Sequence, residues 1–431
     1  MAGKRMFINV WLNSSGFRDD SWSLHGEDPN RLFDIEFYVR NAEIARSGVV
    51  DSIFLADQPQ LTASPGERPE YPFDPIVLLT AVTSRVADIG AIATASTSFS
   101  QPFTLARQIG SANLLSGGRI GWNAVTTNNP KVASNYGTVR ANHDERYERA
   151  AEFLDVVDGL WRSWRYDWTD GRPEFGEVEE LNHIGKHFSV AGALNVPMAP
   201  FGPPVVAQAG GSKQGIALAA RYGEVIYAEF GTKAAGKRFV AALKEQAATH
   251  GRNPDSLAVM PQIQPLIGST ESEVARLVED FSHSMGALDA RMAFLNGLLG
   301  IDMEKVGPDA PIRPEHLHVP ENPIQPVAYV NLLIDLALTE GLSLRQLALR
   351  QQVVAGTPDA IAARMIDWWS DGAADGFTIN PSVLPDSLTT FVDSVIPLLQ
   401  HDGVFPTSYR ESNLRTRFGL GERRPVQAST P

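Results

Sequence analysis

Residues 88–126 read DIGAIATASTSFSQPFTLARQIGSANLLSGGRIGWNAVT. The stretch opens on an apolar run, DIGAIATAS (88–96), of the kind that fills a buried strand. It continues into PFTLARQIGSANLLSGG, where apolar residues recur at helical spacing behind a proline and stop at two glycines. It closes on a second apolar run, RIGWNAVT (119–126). Strand, helix and strand in this order describe a parallel unit, because parallel neighbours need a crossover of about a dozen residues or more.

The rhythm repeats in both directions. Upstream lie FINVWL (7–12), the helical RLFDIEFYVRNAEIARSG ending at Gly48, DSIFLAD (51–57), and FDPIVLLTAVTSRV with Pro75 in its first turn. Downstream a long helix is predicted from Asp144 to Trp164, then PPVVAQAG (203–210) followed by helix from Ser212 to Tyr222. GEVIYAEF (223–230) leads into helix from Lys233 to His250, and LAVMPQIQPLIG (257–268) and GFTINPS (376–382) complete eight runs. Eight such units fit an α/β fold of the (β/α)8 TIM-barrel type better than an open sheet. The expectation is one domain over 1–431, with insertions at about 165–202 and 281–352 on the C-terminal face. The tail, 403–431, is expected to dock on the surface with its last residues loose.

The runs share a second feature. Each is apolar and then turns polar at its C-terminal end: Asp57, Thr94 and Ser96, Asn123 and Thr126, Gln208, Glu229, Gln262 and Gln264, Asn380. A packed barrel wants branched apolar residues there, so a repeated polar end points to an active site at that face.

Composition narrows the function. The chain has 431 residues, 43% of them hydrophobic, with 37 basic against 50 acidic side chains and a net charge of -13. That balance argues against a nucleic-acid partner, which needs a basic surface. There is no cysteine, so disulfides, thiolate catalysis and Cys-bound metals are excluded. The start, MAGKRMFINVWLN, carries no signal-peptide pattern, and no apolar run reaches the roughly 20 residues of a membrane span, so a cytoplasmic location is expected. HIGKH (183–187) has the spacing of two metal-binding histidines, but it falls in a hairpin-like insertion and lacks the glutamate that follows the first histidine of a zinc helix, so no metal site is expected. No dinucleotide fingerprint and no Gly-x-Ser-x-Gly elbow is present.

One loop admits two readings. In QAGGSKQG (208–215) an apolar run ends, two glycines follow, and Ser212 opens a helix. It is either an ordinary turn with Ser212 as N-cap, or a phosphate seat built from glycine backbone and a helix N-terminus.

Several strings, DSIFLAD, ATASTSFSQPFTLARQIGSANLLSGGRIGWNAVTT, HDERYERAAEFLDVVDGLWRSW, HIGKHFSVAGALNVP and PPVVAQAGGSKQG, together resemble the bacterial-luciferase-like flavin monooxygenases. Within them the chain is similar to the branch of nitrilotriacetate, EDTA and dibenzothiophene-sulfone monooxygenases, from about residue 7 to about 420. The resemblance implies a two-component oxygenase. Reduced FMN (FMNH2) comes from a separate NAD(P)H:FMN reductase, O2 is activated as a flavin peroxide, and one oxygen enters a small organic substrate. Self-association as a homodimer or homotetramer is implied in the same way.

The resemblance places flavin contacts at Asp57, Thr94, His143, Tyr147 and Ser212, and it favours the phosphate reading of the loop, with the Gly211 amide beside Ser212. His143 and Tyr147 are four apart and share a helix face, where both can donate to phosphate or ribityl oxygens. Asn123 joins the pocket from its strand end. His25, in the loop 13–30, is a candidate proton donor or substrate contact, or else a solvated loop residue. That loop and 281–352 are candidate lids, and Trp11, Phe17 and Trp22 a candidate apolar wall. The first loop has Arg18 among Asp19, Asp20, Glu27 and Asp28, which weighs against a strongly anionic substrate. Two other functions stay open: a deazaflavin- or FMN-dependent dehydrogenase on the same fold, and a non-catalytic flavin-binding protein.

Overall fold

A computed structural model describes residues 5–18, 20–26, 29–61, 72–164, 167–169, 172–174, 177–284, 288–320, 327–349 and 353–421. Eight strands form the barrel: β1 (Phe7–Trp11), β2 (Ser52–Leu55), β3 (Gly90–Ser96), β4 (Ile120–Val125), β5 (Val206–Ala209), β6 (Val225–Ala228), β7 (Ala258–Ile267) and β8 (Gly376–Ile379). Each pairs in parallel with the next, and β8 returns to β1 with Phe7 opposite Gly376, so the ring closes. Closure leaves the eight barrel strands without a free edge among the described residues. A ninth strand, Val353–Gly356, pairs only with the outer half of β7.

Eight helices wrap the ring: α1 (Ile35–Ser47), α2 (Pro75–Arg85), α3 (Pro102–Leu115), α4 (His143–Trp161), α5 (Lys213–Tyr222), α6 (Lys233–Thr249), α7 (Pro358–Ser370) and α8 (Asp386–Ser394). Most start on a side-chain cap: Asp34, Asp74, Asn142, Ser212, Thr232 and Thr357 each accept a first-turn N–H. Pro75, Pro102 and Pro358 occupy first turns, where a missing N–H costs nothing.

Strand alternation splits the apolar residues into two layers. Ile53, Leu55, Trp122, Ala124, Val206, Phe377 and Ile379 face the helices, whereas Phe54, Ile92, Val205, Ala207, Val225, Tyr227 and Met260 fill the ring. The inner cluster also takes in Leu414, Phe418 and Leu420. The expected surface docking of the tail is therefore corrected for residues 413–420, which plug the N-terminal end of the barrel. Arg415 donates to both oxygens of buried Glu224 at 2.9 Å, and Arg417 donates to the carbonyls of Asp51 and Asp88 at 2.8 Å. The reason is apolar area: the open ring end exposes large side chains, and the tail brings three more to cover them. The end of the tail, 422–431, lies outside the described residues.

The two insertions go to different places. Residues 281–352 supply the helices Leu288–Leu299, Met303–Val306, Val327–Glu340 and Leu344–Leu349, which pack around their own cluster of Leu298, Leu299, Leu333, Ala337 and Leu347. Of these, the helix Val327–Glu340 meets the chain just beyond β6 at Gly231 and lines a cavity with Gln262 of β7. Residues 165–202 do not lie on the expected C-terminal face. Their hairpin, His183–Ile184 with Ser189–Val190, lies on α4, where Glu152 accepts from His183 Nε2 at 3.0 Å and from the N–H of Phe188 at 2.9 Å. The chain then passes Trp161 at Leu194 and reaches Gly118 and the tail at Phe201. The reason is topological: this segment joins a helix to the next strand, and such joints return at the N-terminal end of a barrel.

Candidate active site

The upper ring is polar. Thr94 and Asn123 sit side by side on β3 and β4, and Asn123 Nδ2 donates to Thr94 Oγ1 at 2.9 Å. Asn123 Oδ1 is buried and has no hydrogen-bond partner. Lower in the ring Ser52 Oγ donates to Asn9 Oδ1 at 2.8 Å, and Asn9 Nδ2 reaches Tyr227 Oη at 3.4 Å. Burial pushes the Tyr227 hydroxyl well above its ordinary range, so it stays protonated. On the opposite wall Asn380 Nδ2 donates to Gln262 Oε1 and Gln264 Nε2 to Ser382 Oγ, each at 3.1 Å. Thr378 Oγ1 and Asn380 Oδ1 are buried without partners. An unmet buried polar atom costs about 1–3 kcal/mol, so several around one opening mark a surface built for a ligand.

Asp57 follows β2 at this opening and is half-buried. Burial first, and then the Asp74 charge, raises its carboxyl to about 6, against a hydrogen bond from the Gln58 backbone that works the other way. Asp74 is held as the cap of α2. Tyr136 feels both carboxylates and stacks on Phe99 with centroids 4.9 Å apart.

The starts of α4 and α5 converge on the next sector. The His143 and Tyr147 rings are 4.8 Å apart. The glycine turn is packed tightly: a Cβ on Gly210 would come 3.4 Å from Tyr147 Oη and 3.2 Å from Gly215 Cα. Ser212 Oγ accepts the Gly215 N–H at 3.0 Å, which leaves its own proton free to donate outward. The first-turn N–H groups of Lys213 and Gln214 have no partner within the helix. The two readings of this turn are therefore compatible, because the cap orders the donors that an anion would meet. Gln208, counted among the polar strand ends, has the parity of Val206 and faces the helix layer, with Oε1 unpartnered.

Beside the turn lies a cavity of about 370 Å³, lined by Gly210, Gly211, Tyr227, Glu229, Gln262 and Arg238 among others. The helix Val327–Glu340 closes one side with Asn331, Leu332 and Asp335. Asp335 is held by Thr232 Oγ1 at 2.7 Å and Arg238 Nη2 at 3.1 Å. Gly231 permits the close approach: a Cβ there would come 2.6 Å from Leu336 Cγ.

The structure thus brings Asp57, Thr94, Asn123, His143, Tyr147, Gly211 and Ser212 to one end of the barrel, over the β2–β5 arc. His25 lies on the short turn Ser21–Gly26, and its side chain is outside the described residues. The described part of its loop packs on the end of β8 through Phe17 and Arg18 N–H bonds to Pro381 and Ser382. Trp11 meets Phe17 at 4.8 Å between centroids. Arg18 is engaged by Asp20. Among the described residues no cluster of three or more His, Asp or Glu is placed to hold a metal. No described helix is long and apolar enough to cross a membrane. Asn9, Tyr227, Gly231, Arg238 and Asp335 were missed from sequence. Asn9, a polar residue inside the apolar run FINVWL, was the one readable sign.

These residues fit a reduced flavin. Its ring N–H groups match the unmet oxygen of Asn123, and its phosphate matches the donors at α5.

Comparisons with known proteins give the family. The Luciferase-like monooxygenase family model matches residues 18–375. N-acetyl-S-(2-succino)cysteine monooxygenase of Bacillus subtilis (strain 168) is 35% identical over 430 residues, 97% of each chain. Nitrilotriacetate monooxygenase component A of Aminobacter aminovorans is 36% identical over 447 residues, 97% of each chain. The solved structure of EDTA monooxygenase from Chelativorans sp. BNC1 superposes with a TM-score of 0.87 and 56% identity, covering 97% of this chain and 99% of that one.

Proposed function

We propose, from the premise that this chain belongs to the luciferase-like monooxygenase family, that the β2–β5 side of the barrel mouth seats reduced FMN and the adjoining cavity takes the substrate. The chain is a flavin-dependent monooxygenase, the oxygenase component of a two-component FMNH2-dependent system. The observation that carries the site reading is the convergence, at one end of the ring, of the unmet Asn123 oxygen and the Ser212 helix start.

Bound reduced FMN supplies the electron pair that activates O2, with one oxygen atom going to substrate and the other to water. The protein does the rest. The N-terminus of α5, the Gly211 amide and the Ser212 hydroxyl bind the phosphate. Tyr147 and His143 donate to phosphate or ribityl oxygens. Asn123 Oδ1 accepts a ring N–H, and Thr94 holds that amide in place. Asp57, with its carboxyl near 6, holds or releases a proton at the mouth close to neutral pH. The helix Val327–Glu340 and the loop after β1 exclude water, without which reducing equivalents escape as hydrogen peroxide. His25 serves as proton donor or substrate contact from that loop. We assign the whole of 1–431 to one working domain, in the cytoplasm, as a homodimer or homotetramer fed by a separate NAD(P)H:FMN reductase.

The test is an anaerobic titration with photoreduced FMN, followed by a pulse of aerated buffer with blue and near-ultraviolet absorbance recorded. Saturable binding and reoxidation much slower than that of free flavin support the reading. No binding of reduced FMN sinks the site.

A further inference from the structure

Two helices must keep register for the phosphate seat to exist. His143 and Tyr147 come from the start of α4, and the glycine turn with Ser212 leads into α5. Both helices begin at the same end of the barrel and run parallel. Between them lies an open groove of about 540 Å³, lined by Glu148 and Ala151 on α4 and by Ala217 and Leu218 on α5. Side chains that face a groove do not interdigitate, so packing there does not fix how far one helix is slid along the other.

Polar ties stand at both ends of the groove. At the top, Gln214 Nε2 donates to Asp144 Oδ1 at 2.9 Å, between exposed side chains. At the other end the last two residues of α5 meet Asp155, about three turns along α4 from His143. Tyr222 Oη, with one proton to give, lies 2.8 Å from Asp155 Oδ1 and 3.0 Å from the Ala151 carbonyl. Arg221 Nη2 donates to Asp155 Oδ1 at 3.0 Å and to Oδ2 at 2.9 Å, and its guanidinium lies 4.8 Å from the centre of the Tyr222 ring. Tyr222 is 1% exposed, whereas the Asp155 side chain is 35% exposed. An ion pair this open contributes little to stability. Its hydrogen bonds are directional, however, and they fix where α5 ends against α4.

The other end of α5 passes that position on to the seat. A Cβ on Gly215 would come 3.0 Å from the Gly210 carbonyl carbon, so the first turn of α5 rests directly on the glycine turn. Resting on the phosphate placement above, we propose that Asp155 is a positioning residue for the flavin phosphate. By holding Tyr222 and Arg221 it sets how far α5 stands along α4, and so where the Gly211 amide, the Ser212 hydroxyl and the first-turn N–H groups meet the phosphate. A binding constellation has to be held to within about 0.5 Å, which is the task of such a supporting contact. Asn123 and Thr94 stand on strands and are not moved by it. Removing a carboxylate that acted through its charge alone would tighten phosphate binding; removing one that positions α5 weakens it.

Reduced FMN and reduced riboflavin, which lacks the phosphate, are each titrated without oxygen into the full chain and followed by fluorescence. The wild type is expected to prefer reduced FMN by about hundredfold or more. Asp155→Ala, and independently Tyr222→Phe, which removes a hydroxyl without changing charge, are each expected to cut that preference by about tenfold, with reduced-riboflavin affinity changed by less than about twofold. Asp155→Asn keeps an acceptor oxygen for both donors and is expected to hold the preference to within about threefold of the wild type. A preference that is unchanged or raised in Asp155→Ala and Tyr222→Phe overturns the proposal. So does an equal loss of affinity for both flavins, which marks a merely structural role, or a loss in Asp155→Asn as large as in Asp155→Ala. Should Asp155→Ala fold poorly, Tyr222→Phe carries the test. The wild type is titrated first: absence of any preference there overturns the phosphate seat itself and the proposal with it, before a variant is made.

Discussion

Replacing Asp57 with asparagine is expected to stabilise the flavin-free protein above pH 6 and to do little in more acid solution. The fold raises this carboxyl from 3.8 to about 6, chiefly by burial and secondly through the Asp74 charge. A raised carboxyl means that the folded state prefers the protonated form. Its contribution is therefore full below the unfolded value and is lost as pH rises through about 6. A shift of roughly two units at about 1.4 kcal/mol each gives ~3 kcal/mol, and solvent access to a half-buried group reduces this to about 1.5 kcal/mol. Asparagine resembles the protonated form at every pH, so the variant escapes that loss. For a chain of this size the gain is a rise in melting temperature of about 2 °C. Calorimetric melting of both proteins without flavin, at about pH 4.5, 6 and 8, measures it. A difference that stays constant with pH, or a variant that is less stable at the alkaline end, refutes the reasoning. The same variant should bind reduced FMN more weakly, the usual exchange of stability for function at a working site.

Ser212→Asp keeps a good N-cap but sets a carboxylate where the phosphate is placed, so folding should hold while reduced-FMN affinity falls by about tenfold or more. An unchanged dissociation constant in an anaerobic fluorescence titration would remove Ser212 from the seat. Gly231→Val should push the Val327–Glu340 helix off the cavity, since a Cβ there comes 2.6 Å from Leu336 Cγ and 3.1 Å from the Leu332 carbonyl. The hydrogen peroxide released per reduced FMN consumed should rise, and an equal yield contradicts the roofing role. Arg415→Met removes the bidentate partner of buried Glu224 at the far end of the barrel. Urea denaturation should show a loss of about 3 kcal/mol, with reduced-FMN affinity untouched in the protein that remains folded.

Much of this molecule is legible one segment at a time. The eight apolar runs became the eight barrel strands because alternation and length are local properties, and Asn142, Ser212 and Thr232 announce helix starts through hydroxyl or amide groups that cap only their own first turn. Family likeness then named most of the residues proposed for the flavin seat, and strand order brings them to one end.

What stayed hidden depends on partners far apart in sequence. Polar ends on seven of the eight runs point to chemistry at one face, but nothing in GFTINPS says that Asn380 gives its N–H2 to Gln262 and keeps an unmet oxygen. Nothing in PPVVAQAG says that Gln208 faces the helices, because parity has a direction only once the ring has closed. The tail reads as surface from its arginines, yet Leu414, Phe418 and Leu420 fill the ring's open end and Arg415 finds Glu224 there. The carboxyl of Asp57 is ordinary in the chain and rises only when burial and Asp74 surround it. Local sequence chose the secondary structure and the kind of site. Closure of the barrel decided which polar atoms are satisfied, which are left for a ligand, and where each insertion stands, because burial and hydrogen bonding across strands exist only in the assembled ring.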